Sequence, residues 1–193
     1  MNLPIIAYGN SVLRQKCSIV TENSPKVQQL IQDMWETMEN ANGCGLSCSQ
    51  VGKPLQLFVA DSRIVYQNMD TEDQLLYFGK DDKGIRETFI NARIIGTSEE
   101  TWEDYEGCLS IPGLSQKVER PWEITIEYLD QDFIKHTKTF TGQTARIVQH
   151  EYDHTLGILY TDRLKPLTKK MMESKLKKII NRNVTAGYPM KFL

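Results

Sequence analysis

Residues His150-Glu151-Tyr152-Asp153-His154 form an H-E-x-x-H run, and that run dictates a helix and something for the helix to face. Four residues at ~100° each return the second histidine to nearly the face of the first, one turn along, so two imidazoles can share one ion. Glu151 adjoins the first histidine and can reach a water beside that ion, where a carboxylate is suited to take and return a proton. The sequence supplies the helix at about 141–156, with Thr141 as a candidate cap and Gly157 as a stop. The chain has only three histidines, so two at this spacing in a helical segment argue against coincidence. The third, His136, lies in a β-rich run and reads as a surface or cross-strand residue rather than a ligand.

Two histidines leave a catalytic metal site one protein ligand short. The extended zincin pattern would place another histidine six residues after His154, but Tyr160 stands there, which excludes that class. Glu173 is the kind of downstream carboxylate a thermolysin-like site uses, although an isolated glutamate among lysines is ordinarily a surface charge. Cys108 is the better candidate. It sits in Glu106-Gly107-Cys108-Leu109-Ser110, between a strand-like run and the loop Ile111-Pro112-Gly113, and competes with the reading of a buried inert thiol. One thiolate with two imidazoles suits zinc or ferrous iron and does not choose between them. Cys44 and Cys48 flank Gly45 without a second ligand pair and read as structural thiols. Glu106 reads either as a strand-end charge or as a carboxylate holding the metal-bearing loop through Arg120 or a backbone donor.

Composition bounds the rest. A length of 193 residues fits one domain, 1–193. Lys plus Arg total 23 against 25 Asp plus Glu, so there is no basic footprint for dedicated nucleic-acid binding. A hydrophobic fraction of 40% is enough to bury a core and excludes wholesale disorder. Met1 to Asn10 carries no basic leader before an apolar run, and no apolar stretch approaches the ~20 residues that span a bilayer; a soluble, unexported protein is expected. The four cysteines form no dense framework and are expected to be reduced thiols or ligands.

Ser24-Pro25 opens a helix in which Val27, Leu30, Ile31, Met34, Trp35 and Met38 recur at helical spacing before Gly43 stops it. Strand-like runs lie near 54–61, 87–95, 123–130 and 133–140, the last two joined by Asp130-Gln131-Asp132, which predicts antiparallel pairing with hairpins. A last helix over about 166–181 puts Met172, Leu176 and Ile179 on one face and its lysines elsewhere, as a solvated face. The stretch 62–84 is polar and weakly periodic and reads as an excursion between strands.

Three segments together resemble the peptide deformylase family: Gly43-Cys44-Gly45-Leu46-Ser47-Cys48-Ser49-Gln50, Glu106-Gly107-Cys108-Leu109-Ser110 and Gln149-His150-Glu151-Tyr152-Asp153-His154, in the family's order. Tyr8 through Arg14 resembles its N-terminal turn. The resemblance implies an α+β fold with antiparallel sheets around a central metal-binding helix, flanked by an N-terminal and a C-terminal helix. It implies removal of the formyl group from nascent N-formylmethionyl polypeptides in the cytoplasm. Under it, Cys108, His150 and His154 bind the metal, Glu151 is the acid/base, and Gln50 and the Leu109 backbone N–H stabilise the oxyanion. Gly45 and Gly107 border the substrate, with Gly45 allowing its close approach. The implied ion is Fe2+, replaceable by Zn2+ or Ni2+.

Ser47 and Cys48 replace the family's usual alanines and are small enough to preserve packing. Arg146 falls on the metal-facing side of the helix, where a methionine pocket calls for apolar residues; its stem is expected at the pocket mouth with the charge reaching water. Two other functions fit parts of the pattern: a general metallopeptidase using Glu173, and a non-catalytic module whose Cys108, His150 and His154 hold a closed structural ion. The basic last helix also offers a surface for transient ribosome contact.

Overall fold

The computed structural model describes residues 1–79 and 81–193. After the short strand β1 (Ile5–Ile6) comes helix α1 (Pro25–Asn40), which starts where its sequence signal lies: the Ser24 hydroxyl accepts from the Val27 N–H and Pro25 occupies the first turn. Leu30, Ile31, Met34, Trp35 and Met38 are buried, and the Gly43 N–H closes the end of the helix on the Met38 carbonyl. The chain continues through β2 (Gly45–Ser47), β3 (Leu57–Asp61), α2 (Arg63–Asn68), α3 (Thr71–Phe78), β4 (Arg86–Thr97), β5 (Thr101–Cys108), β6 (Ile111–Pro121), β7 (Glu123–Leu129) and β8 (Lys135–Thr141). Helix α4 (Gly142–Thr155) carries the histidines; α5 (Pro166–Ile180) and the short β9 (Met190–Lys191) follow.

A five-stranded sheet has the order β2-β3-β4-β7-β8, antiparallel at every pairing. Strand β3 explains how the sheet holds two helices. Successive side chains point to opposite faces: Leu57 and Val59 join the cluster containing α1, while Phe58 and Ala60 join the one containing Ala145, Ile147 and Val148 of α4. A strand covered on both sides is apolar at consecutive positions, and all five residues of β3 are buried. Helix α4 is enclosed accordingly. Every one of its residues except Tyr152 is buried, so the histidine-bearing helix is the centre of an α+β fold.

The strands expected near 54–61 and 133–140 start later, at Leu57 and Lys135. The strand-like run before Cys108 is β5, but it pairs with a second strand that begins at Ile111, so Ile111-Pro112-Gly113 is not a loop. The stretch 62–84 does run between two strands, β3 and β4, and holds α2 and α3; Lys80 within it lies outside the described residues. Thr141 precedes α4 but makes no side-chain cap; its hydroxyl bonds the Phe78 carbonyl at the end of α3. Gly157 does end α4. It has φ +75° and a Cβ there would run into the Arg14 backbone, so the position demands glycine. On α5, Met172, Leu176 and Ile179 are buried and the lysines exposed. Among the described residues, no helix is long and apolar enough to cross a membrane.

Candidate metal centre

Helix α4 presents His150 and His154 one turn apart, with ring centroids 5.1 Å from each other. The third group arrives from the hairpin. Pairing between β5 and β6 is regular until Gly107, where the register shifts, and the irregularity brings Cys108 to face α4. Its Sγ lies 3.3 Å from His154 Nε2, and one ligand atom from each of Cys108, His150 and His154 falls within 4.8 Å of the others. Glu173 is exposed on α5 and outside this group. Cys44 and Cys48 are outside it too; burial pushes each thiol up to about 12.

A buried charge network holds these side chains. Glu106 Oε1 accepts from Arg120 Nε at 2.6 Å and Arg146 Nη1 at 2.7 Å, while Oε2 accepts from Arg120 Nη2 at 2.8 Å and pairs with His150 Nδ1 at 3.0 Å. Arg120 Nη1 continues to Asp153 Oδ2 at 2.8 Å, and Arg163 closes on the outer side of Asp153. Burial alone would raise the Glu106 carboxyl; hydrogen bonds from Arg120 and His150 outweigh it and hold the group well below the usual carboxylate range. Burial would likewise lower Arg120, but Glu106 and Asp153 hold it charged. With Nδ1 tied to a carboxylate, His150 has Nε2 aimed at the site, the second contact typical of a metal-bound histidine; burial would lower this imidazole, but hydrogen bonds with Cys108 and Glu106 hold it well above its ordinary value, so a metal would displace a proton there. His154 is pushed well below its ordinary value by burial and by His150 beside it, so it is neutral, the form that donates to a metal.

These observations test whether a metal suits the site. One sulfur and two nitrogen donors converge, an imidazole is oriented by a carboxylate, and His154 Nδ1 and Glu151 Oε2 are buried without partners. The residues fit a divalent ion with an open position. Glu106 is therefore no exposed strand-end charge: it braces the loop through Arg120. Asp153 escaped the sequence reading although it lies three residues after His150, on a helix face shared with it.

Glu151 is buried at the cavity wall, and burial pushes its carboxyl up to about 7. The volume that a Cβ on Gly45 would fill is occupied by this carboxylate, with Cγ and Cδ both 2.7 Å from that point. The close approach at Gly45 is thus made by Glu151. Gln50 follows β2 in a 3₁₀ turn, Cys48–Val51. Its Oε1 accepts from the Ser47 N–H at 2.8 Å, which aims Nε2 at Cys108 Sγ, 3.5 Å away, and at Ser110 Oγ, 3.3 Å away. Leu109 sits in the turn from β5 to β6, and Gly107 precedes Cys108 at the register shift. Gly45, Gln50, Gly107, Leu109, His150 and Glu151 all border one cavity of about 550 Å³.

Arg146 also lines that cavity, but its charge does not reach water. The residue is 2% exposed; Nη1 bonds Glu106 and the Val118 carbonyl, Nη2 the Trp102 carbonyl, and the guanidinium lies over the Trp102 ring. Carboxylate, carbonyls and ring partner the two terminal nitrogens internally and leave Nε buried without a partner, which sequence periodicity could not reveal.

The sequence model described as Polypeptide deformylase matches residues 2–170. A peptide deformylase of Flavobacterium johnsoniae is 43% identical over 192 residues, 100% of this chain and 96% of that protein. One from Christiangramia forsetii has the same identity and coverage. Among solved structures, peptide deformylase from Ehrlichia chaffeensis superposes with a TM-score of 0.82 at 28% identity, covering 96% of this chain and 100% of the other. The enzyme from Plasmodium falciparum gives 0.79 at 31%, covering 92% and 95%.

Proposed function

Because the chain belongs to the peptide deformylase family, and removes the formyl group from nascent polypeptides, we propose that Cys108, His150 and His154 hold the divalent ion of that reaction and that Glu151 moves its protons. The observation that carries this reading is the convergence of one thiol and two imidazoles beside a buried, partly unpartnered carboxylate. When bound, the ion supplies Lewis-acid chemistry and makes water acidic enough to lose a proton near neutral pH.

Glu151 accepts that proton as water attacks the formyl carbon, and later delivers a proton to the departing amine. Charge develops on the former carbonyl oxygen, where the Gln50 Nε2–H and the Leu109 backbone N–H donate. Gln50 suits this task because its other amide atom is fixed by Ser47 and cannot flip away. Gly107 leaves the β5 edge free of a side chain for the peptide. Gly45 keeps the Glu151 carboxylate in place: Gly45→Ala should lower kcat at least about tenfold while formyl-peptide KM changes little, since the added methyl displaces the base. An unchanged kcat would show that Glu151 has room to relax.

Ferrous iron is the ion we assign in the cell, with Zn2+ or Ni2+ as replacements, since one soft thiolate with two imidazoles accepts all three. Action on nascent chains supports a cytoplasmic location, and the exposed lysines of α5 support transient ribosome contact. The whole chain forms the proposed catalytic unit, since β9 pairs with β1. The test is metal analysis of anaerobically purified protein beside deformylation of formyl-Met peptides. Cys108→Ala should lose stoichiometric metal and activity, and Glu173→Ala should keep both; the reverse would transfer the third-ligand role to Glu173.

A further inference from the structure

Three carbonyl and hydroxyl groups of the turn 109–110 are held from three directions. Ser110 Oγ receives Gln50 Nε2, and the Ser110 carbonyl receives the Tyr8 N–H at 2.8 Å. The Leu109 carbonyl receives the Tyr188 hydroxyl, also at 2.8 Å. Tyr188 comes from the segment after α5, beyond the residues 2–170 matched by the family sequence model. It lines the reaction cavity and packs into the same apolar cluster as Leu109.

The segment that carries Tyr188 is itself fixed. The Pro189 carbonyl accepts from the Ile5 N–H and the Lys191 carbonyl from the Ala7 N–H, both at 2.9 Å, on either side of the β1–β9 pairing. Ile5, Ile6 and Ala7 are buried, so β1 is a rigid base. The β1 segment therefore braces the turn twice, directly through Tyr8, two residues after the strand, and indirectly through β9, which Tyr188 precedes by two residues.

We propose that Tyr188 is a positioning residue for catalysis: by holding the Leu109 carbonyl it fixes the consecutive peptide units of the turn, and with them the Leu109 N–H that receives the oxyanion. This rests on the proposed role of that N–H. A donor helps only if it is already aimed where charge will develop, and aiming it during the reaction would consume the advantage. A tyrosine suits the task because its ring is anchored by packing and its hydroxyl reaches the carbonyl at the far end.

Tyr188→Phe keeps the ring and removes the bond. We expect kcat for a formyl-Met peptide to fall about tenfold with KM within twofold, metal stoichiometry retained, and backbone amide exchange accelerated at Leu109 and Ser110. Three results would each overturn the proposal: kcat within twofold of the parent whatever the thermal stability, a KM rise as large as the kcat loss, or unchanged exchange at the turn. Glu151→Gln measured alongside separates the levels. If that variant stays active, the site reading fails; if it is inactive while Tyr188→Phe is unaffected, only the Tyr188 assignment fails.

Discussion

Glu151→Gln should retain its metal and turn over formyl-Met peptide roughly a thousandfold more slowly than the parent. The substitution is nearly isosteric, so the carboxylate's place beside Gly45 stays filled and the helix is undisturbed. What disappears is the capacity to accept a proton. Positioned acid–base groups contribute typically ~10²–10⁴-fold, and this one serves twice, at attack and at departure of the amine, which places the expectation at the middle of that range rather than at its foot. Loss in kcat and kcat/KM by similar factors would mark an interaction made in the transition state. The check is steady-state turnover beside metal content on the same preparation. Near-parental turnover at full metal loading would assign the proton transfer elsewhere.

The helix that carries this residue was legible because its constraints are local: a histidine spacing and a glycine stop. The same holds for α1, whose cap and first-turn proline act on their own backbone. Of the hairpin β5–β6, a strand-like run before Cys108 was legible, but its extent and its partner β6 were not. Strand β5 reads Thr-Trp-Glu-Asp-Tyr-Glu-Gly-Cys; its exposure alternates, but the inward positions are Trp102, Asp104, Glu106 and Cys108, so the apolar alternation that betrays a half-buried strand is missing. Its acidic residues are there for distant partners: Glu106 for Arg120 and Arg146, Asp104 for Gln143. Helices α2 and α3 escaped for a related reason, since they bury only Phe78 between them. Family motifs pointed to the proposed ligands and base; what a motif could not give was the tertiary reason for Arg146, Asp153 and Tyr188. Each answers a group far away in sequence.

The second large effect follows from that answer. Glu106 is the one carboxylate shared by Arg120, Arg146 and His150, and Arg120 and Arg146 are 1% and 2% exposed. Glu106→Ala would leave two guanidinium groups buried with Asp153 as the remaining carboxylate bonded to Arg120 and none bonded to Arg146. Removing one partner of a buried ion pair costs about 3–5 kcal/mol, because the surviving charge stays desolvated. At about 2–4 °C per kcal/mol for a chain of this size, the melting temperature should drop by roughly 6–20 °C. The site should suffer separately. His150 loses the acceptor at Nδ1 that orients its ring, a change that typically weakens metal affinity ~10–100-fold. Glu106→Gln distinguishes the two losses, since an amide retains one acceptor oxygen and nearly the same volume but no charge. Metal titration and thermal unfolding of both variants decide the matter: if Glu106→Gln matches the parent in both, charge at this position is dispensable and the arginines are satisfied by the Val118 and Trp102 carbonyls and Asp153. If stability falls while metal affinity holds, the network supports the fold and His150 is oriented by its place on α4 alone.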